Sequence, residues 1–231
     1  MPRKVLESLG ASHPYGVNLR LGHFRHQCRN QLMGADPREA LFLRVSLRRD
    51  RTEGEEIMFY RFNGREPLIG PGTYVSETAI VIGDVKIGSR CYVGHGAILR
   101  GDYGSIVIGD ESAVEEGAII HAPPDDVCHI GKGVVVGHGA IIHAKTIEDL
   151  AGIGMGAVLS IRSEVGRGSV VAEGAVVKQR QIVPESVVVA GNPAKKIKDM
   201  SQKDLDFWAR SRQIYVDLAG EYCAQGMERI G

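Results

Sequence analysis

The sequence predicts an all-β fold, a parallel β-helix built of three-sided coils, followed by one C-terminal α-helix. Aliphatic residues recur at six-residue steps through most of the chain, and the period becomes helical near the C-terminus. The 231 residues include 30 glycines, and only 6% are aromatic. This composition is typical of a fold with many tight turns and small, regular core layers.

The six-residue repeat occupies residues 58–196. A six-residue period fits neither an α-helix nor a long antiparallel strand, whereas a triangular coil needs one inward aliphatic residue near each corner. Only the intervals 99–108 and 120–130 are longer, and we expect loops that bulge from corners there. The repeat positions are Ile82, Ile87, Val93, Leu99, Ile108, Val114, Ile120, Ile130, Val136, Ile142, Ile147, Ile153, Leu159, Val165, Val171, Val177, Val183 and Val189.

The two flanks of the repeat differ from it. Residues 1–57 show no sustained periodicity, so we expect a disordered or loosely attached extension, or a segment that is not native if translation starts at Met58. Residues 197–231 predict an α-helix that packs on the β-helix, with Ser201 as a suitable N-cap. Apolar residues then follow at helical spacing: Leu205, Trp208, Tyr215, Leu218 and Tyr222.

Charge and cysteine usage exclude several classes of function. The formal net charge of zero gives no general electrostatic reason to bind nucleic acid or an anionic membrane. No apolar run approaches the roughly 20 residues of a membrane span, and the N-terminus lacks the apolar stretch of a secretory signal. The four cysteines show no disulfide or metal-type pattern, which favours a reducing compartment, the cytoplasm.

The histidines suggest a metal site. Positions three corners apart lie on the same edge in adjacent coils, about 4.8 Å apart, which stacks Arg100, His121 and His143. His138 belongs to the neighbouring edge, roughly 16 Å from His143 along an extended strand, too far to share a metal within one chain. In a three-fold homotrimer each chain brings a different edge to the interface, so the repeat predicts a metal site shared between subunits.

Four segments resemble the γ-class carbonic anhydrases, and the carnitine-operon and phenylacetate-operon hexapeptide proteins are similar too. The segments are Ile82-Gly83-Asp84-Val85, Leu99-Arg100-Gly101-Asp102, Ile120-His121 and Val136-Gly137-His138-Gly139-Ala140-Ile141-Ile142-His143. The resemblance covers about residues 58–222. It implies a left-handed β-helix and a homotrimer that binds Zn²⁺, or Fe²⁺ or Co²⁺ in some members. The implied ligands are His121 and His143 of one chain and His138 of the next.

The resemblance also assigns roles near the metal. Arg100 and Asp102 would form an ion pair near the subunit interface, and Tyr215 could reach the pocket from the helix, although simple helix packing explains it equally well. Glu115 stands where the family usually has the glutamine that holds the metal-bound water. It could accept a proton from that water, orient it or become an extra ligand. The acidic loop of one well-studied subtype is missing.

The predicted activity is that of a carbonate dehydratase-like lyase acting on a small molecule. Three neutral imidazoles leave an open metal position for water, whose hydroxide form would attack carbon dioxide to give bicarbonate. Three alternatives remain open. The first is a hexapeptide acyltransferase that uses coenzyme A, since that class shares the coil and a closing segment like residues 191–195. The others are a metal-dependent thioesterase and a non-catalytic metal-binding trimer.

Overall fold

The fold is a left-handed parallel β-helix of about seven turns with one C-terminal α-helix, which confirms the predicted fold class. The computed structural model describes residues 58–228 and Ile230, and the predicted extension 1–57 lies outside the described residues. The described elements are β1 (Met58–Tyr60), β2 (Leu68–Ile69), β3 (Tyr74–Val75), β4 (Ile80–Ile87), β5 (Tyr92–Val93), β6 (Ile98–Ile108), β7 (Ala113–Val114), β8 (Ile119–His121), β9 (Val127–Ile130), β10 (Val135–Val136), β11 (Ile141–Ile142), β12 (Thr146–Ile147), β13 (Gly152–Ile153), β14 (Val158–Leu159), β15 (Glu164–Val165), β16 (Val170–Val171), β17 (Val176–Val177), β18 (Ile182–Val183), β19 (Val187–Ala190), β20 (Lys195–Asp199) and α1 (Gln202–Gln225).

The strands stack into three faces. The first face contains β1, β8, β11, β14, β17 and the N-terminal halves of β4 and β6. The second contains β2, β9, β12, β15, β18 and the C-terminal halves of β4 and β6. The third contains β3, β5, β7, β10, β13, β16 and β19, and the antiparallel strand β20 closes its end.

Each face contributes one inward column of aliphatic side chains to the core. On the first face the column runs in register through Val81, Leu99, Ile120, Ile142 and Leu159, all fully buried. Because successive coils are paired by parallel backbone hydrogen bonds, each inward side chain is covered by the equivalent residue of the next coil. This register also defines which outward and corner residues become neighbours.

The interval 99–108 is not the loop that the repeat suggested. Strand β6 runs without a break from Ile98 to Ile108, and it pairs with the similarly long β4 through a register shift after Gly83. The two strands can cross this corner together because Gly101 has no side chain. A Cβ atom at that position would lie only 2.4 Å from the Asp84 carbonyl oxygen. The interval 120–130 does contain a turn, at residues 124–125.

Helix α1 covers part of the third face. It begins with a capping box between Ser201 and Asp204. The helix was predicted over residues 197–231, but residues 197–199 belong to strand β20. Its apolar side packs on Tyr74, Tyr92 and Ala113 through Tyr215, Leu218, Ala219 and Tyr222. Trp208 lies over Gly152, whereas Leu205 remains 42% exposed. Within the described residues, no helix combines the length and hydropathy of a membrane span.

Candidate metal centre

Two histidines meet at one edge of the first face. His121 ends β8 and His143 follows β11, and the in-register pairing of Ile120 with Ile142 places the two rings one above the other. The Nδ1 atom of His121 lies 3.1 Å from the Nε2 atom of His143, and the ring centroids are 4.8 Å apart. The structure therefore brings together the pair that column counting placed on one edge.

The surroundings of this pair favour the neutral form of both rings. Burial lowers the pKa of His121 and of His143, and the nearby positive charge of Arg100 lowers both further. Arg100 places Nη2 3.2 Å from His121 Nδ1 and Nη1 3.2 Å from Asp102 Oδ2. Neutral imidazole is the form of histidine that binds a metal ion, because the free lone pair is the ligand.

The donor set fits a divalent metal ion. Two imidazole nitrogens bound to one zinc at about 2.0–2.1 Å, in tetrahedral geometry, lie about 3.3 Å apart, close to the observed 3.1 Å. His121 Nε2 is buried and has no hydrogen-bond partner among residues 58–228, although Asp102 Oδ1 lies 3.4 Å away. Within the described part of one chain, no three metal-binding side chains converge. A site with three protein ligands would therefore need one from outside the described residues of this chain.

The third predicted ligand, His138, lies at the opposite edge of the same face. It occupies the turn between β10 and β11, whereas His143 follows β11 at the other end of that strand. Its side chain is 46% exposed. Its backbone N–H donates to Glu115 Oε2 at 3.0 Å, and its Nε2 atom lies 3.2 Å from the same oxygen. His138 is thus held in place and open to contact from outside the chain.

Glu115 and Tyr215 lie with His138, not with the other two histidines. The Glu115 side chain is only 7% exposed, and this burial raises its pKa. Tyr215 approaches the carboxylate from helix α1, and burial likewise raises the pKa of the Tyr215 hydroxyl. The predicted residues therefore form two groups, one at each edge of the first face. Arg100, Asp102, His121 and His143 make up one group, and Glu115, His138 and Tyr215 the other.

Sequence reasoning missed two residues beside His138. Glu116 Oε2 lies 2.7 Å from His138 Nδ1, and the Tyr92 hydroxyl donates to Glu116 Oε1 at 2.6 Å. Glu116 and His138 occupy equivalent turn positions in adjacent coils, because each directly precedes a glycine, Gly117 or Gly139. Counting the corner turns, as well as the strand ends, would have found Glu116.

Comparison with known proteins identifies the family. The chain is 30% identical to a carbonic anhydrase of Geobacillus kaustophilus over 172 residues, which cover 74% of this chain and 94% of that protein. It is 32% identical to the carnitine operon protein CaiE of Escherichia coli, over 70% of this chain and 83% of that protein. The chain belongs to the γ-class carbonic anhydrase-like family of hexapeptide-repeat proteins. The two groups of residues described above thus lie on a γ-class carbonic anhydrase-like coil.

Other comparisons agree with this family and its fold. The chain is 34% identical to the mitochondrial γ carbonic anhydrase 2 of Arabidopsis thaliana over 67% of its length, but it spans only 58% of that protein. A hexapeptide transferase family protein from Anaplasma phagocytophilum has a TM-score of 0.68 and 28% identity, over 72% of this chain and 98% of that one. No family model matches the sequence.

Proposed function

We propose that the chain assembles into a homotrimer and hydrates carbon dioxide to bicarbonate at metal sites between its subunits. Each site would consist of His121 and His143 of one subunit and His138 of the partner subunit. The observation that carries this proposal is the position of these histidines at the two edges of one face, which is apolar on its outside. The metal is a divalent ion, with Zn²⁺ favoured and Fe²⁺ or Co²⁺ as alternatives.

The outside of the first face is a continuous apolar column, which we call the apolar face. Its residues are paired in register across seven coils, each is at least partly exposed in the isolated chain, and Ile119 and Ile141 are 38% and 42% exposed. A contiguous column of exposed apolar side chains is typical of an interaction site. The column comprises Met58, Ile80, Ile98, Ile119, Ile141, Val158 and Val176.

The other two faces do not offer an equivalent surface. On the second face the outward residues are mixed, with Lys86, His129, Thr146 and Glu164 among them. On the third face, helix α1 covers Tyr74, Tyr92 and Ala113, and its Trp208 lies over Gly152. The apolar face is therefore the one that we expect to be covered by other subunits.

Three apolar faces arranged around a three-fold axis would bring unlike edges together. The edge with His138 of one subunit then meets the edge with His121 and His143 of the next, because a rotational interface joins two different patches. Three such contacts close the ring and complete three sites. This arrangement explains why the histidines form no three-ligand cluster within the described residues of a single chain.

The residues around the site have separable roles in the proposed reaction. When bound, a metal ion of this kind lowers the pKa of a coordinated water molecule to near 7, as is established for carbonic anhydrases. His121 and His143 supply neutral nitrogen ligands. Glu115 places Oε2 3.2 Å from His138 Nε2, so we propose that this carboxylate borders the reacting water and takes its proton. The pair of Arg100 and Asp102 orients the edge that carries His121.

Metal analysis and a hydration assay test the proposal. The purified protein, supplied with zinc, should contain about one metal ion per subunit, and His121→Ala should remove it. Stopped-flow hydration of carbon dioxide should follow the metal content. A trimer that stays free of metal at full zinc supplementation would contradict the proposal, and binding of acetyl-coenzyme A by that protein would favour an acyltransferase.

The role of Glu115 has its own test. Glu115→Gln keeps an oxygen that accepts the His138 backbone N–H but removes the proton acceptor, so we expect unchanged zinc content and slower hydration. A rate equal to or faster than that of the wild type would contradict the proton-acceptor role and leave the metal site unaffected.

A further inference from the structure

We infer that Glu116 and Tyr92 are positioning residues for His138, holding its ring so that Nε2 faces the metal of the adjoining subunit. This inference rests on the proposed function, because it assigns a task to groups that touch a proposed ligand. It concerns residues on the side of His138 that faces away from Glu115.

The geometry forms an unbroken polar chain. The Tyr92 hydroxyl donates to Glu116 Oε1 at 2.6 Å, and Glu116 Oε2 lies 2.7 Å from His138 Nδ1. A carboxylate this close to Nδ1 favours the form of the ring that carries a proton on that nitrogen. A proton held on Nδ1 leaves the lone pair of the neutral ring on Nε2, the only other nitrogen that can bind a metal.

The two glutamates contact different nitrogens of the ring. Glu115 approaches Nε2 at 3.2 Å, on the side assigned to the metal, whereas Glu116 approaches Nδ1 at 2.7 Å, on the opposite side. A carboxylate behind a histidine ligand orients the ring and raises its basicity, and losing such a partner costs about 10–100-fold in metal affinity. Glu116 makes the closer contact and lies behind the ring relative to the proposed metal, so we assign the orienting role to Glu116 rather than to Glu115.

The far end of the chain is anchored in the protein. Tyr92 is 3% exposed and packs among Tyr74, Tyr215 and Tyr222, with ring centroids 5.2–6.2 Å from its own. Its hydroxyl therefore has a defined position. The Tyr222 and Tyr215 rings come from helix α1, so docking of the helix supports the orientation of His138 through Tyr92.

A glycine makes room for the glutamate. Gly94 occupies the same corner one coil earlier, and a Cβ atom there would lie 2.5 Å from Glu116 Oε1 and 2.9 Å from the Glu116 backbone nitrogen. Since real Cβ atoms do not approach so closely, a larger residue at position 94 would displace the carboxylate from Tyr92. The corner is thus shaped to hold Glu116 against Tyr92.

The test measures zinc affinity and ligand geometry rather than activity alone. Wild type, Tyr92→Phe, Glu116→Ala and Glu116→Gln would be prepared as full-length trimers, with His138→Ala as the reference for loss of the ligand. Tyr74→Phe is the matched control, because Tyr74 stacks on Tyr92 but is not in the polar chain. Zinc affinity would be measured by competition with a chelator, and ligand geometry by the visible absorption spectrum of the Co²⁺ form.

We expect Glu116→Ala to weaken zinc binding about 10–100-fold and to alter the Co²⁺ spectrum. Tyr92→Phe should have a smaller effect in the same direction. Glu116→Gln should be milder than Glu116→Ala, because its amide oxygen can still accept from Nδ1, and Tyr74→Phe should match the wild type. If Glu116→Ala does not form trimers, Tyr92→Phe and Glu116→Gln carry the test.

Wild-type zinc affinity and an unchanged spectrum in both the Tyr92 and Glu116 variants, with loss of zinc in His138→Ala, would overturn this inference alone. Wild-type affinity in His138→Ala would instead overturn the proposed function, and the inference with it. An equal loss in Tyr74→Phe and Tyr92→Phe would assign the effect to ring packing and reject the polar chain.

Discussion

Replacing Ile141 with aspartate should dissociate the proposed trimer. Ile141 is 42% exposed in the isolated chain. Because full burial of an isoleucine side chain contributes about 1.5–3 kcal/mol, covering the exposed part contributes about 0.6–1.3 kcal/mol per subunit. The trimer contains three copies, so losing this contact costs about 2–4 kcal/mol. Burying an unpaired polar group adds roughly 1–3 kcal/mol per subunit even after partial compensation.

The total of about 5 kcal/mol or more lowers the trimer association constant by at least roughly 10³-fold, since each 1.4 kcal/mol is a factor of ten. Analytical ultracentrifugation at micromolar concentration would measure the change. Ile182→Asp is the matched control, because Ile182 is 68% exposed but lies on the second face. A trimeric Ile141→Asp protein, or equal dissociation of Ile182→Asp, would refute the apolar face as the trimer interface.

Three further predictions concern stability. Leu159→Ala should cost about 2–5 kcal/mol, because it opens a cavity in a fully buried column, and urea unfolding would measure it. Gly152→Ala should loosen helix α1, since the added Cβ would lie 2.7 Å from the Trp208 ring, and faster protease cleavage within the helix would report it. Lys198 and Ser201 hold the pKa of Asp204 well below its usual range. The stabilisation by this carboxylate is therefore complete above the unfolded pKa of about 4 and is lost as pH falls toward the folded pKa. Circular dichroism should show that the helical advantage of wild type over Asp204→Asn disappears on acidification. A wild-type urea unfolding midpoint in Leu159→Ala would contradict the first prediction, and a wild-type rate of protease cleavage in Gly152→Ala would contradict the second. A helical advantage over Asp204→Asn that stays constant down to pH 2 would contradict the third.

Periodicity alone predicts much of this fold and one half of the site. Each coil repeats the same three corners, so a residue's number determines its column and its neighbours in adjacent coils. The stacking of His121 and His143 follows from that register, and their ring nitrogens lie 3.1 Å apart. The capped start of α1 was also predictable, because Ser201 and Asp204 form a local sequence signature.

Features that depend on contacts between particular side chains were not predictable in this way. The uninterrupted path of β6 depends on the close approach of Gly101 to the Asp84 backbone, which spacing does not reveal. The contact between Glu116 and Tyr92 depends on rotamers and on the space left by Gly94. The residues of the apolar face could have been found by counting, because each directly precedes an inward residue of the first face. Their exposure could not, because it depends on which face helix α1 covers.

The shared site can be tested most directly by mixing two defective chains. His121→Ala chains lack one edge of the site and His138→Ala chains lack the other, so neither homotrimer has a complete site. In any mixed ring, one interface joins the intact edge of one chain to the intact edge of the other. Metal analysis of co-expressed, doubly tagged trimers should find about one zinc ion per mixed trimer and almost none in either parent. Mixed trimers as free of metal as their parents would contradict a site shared between subunits.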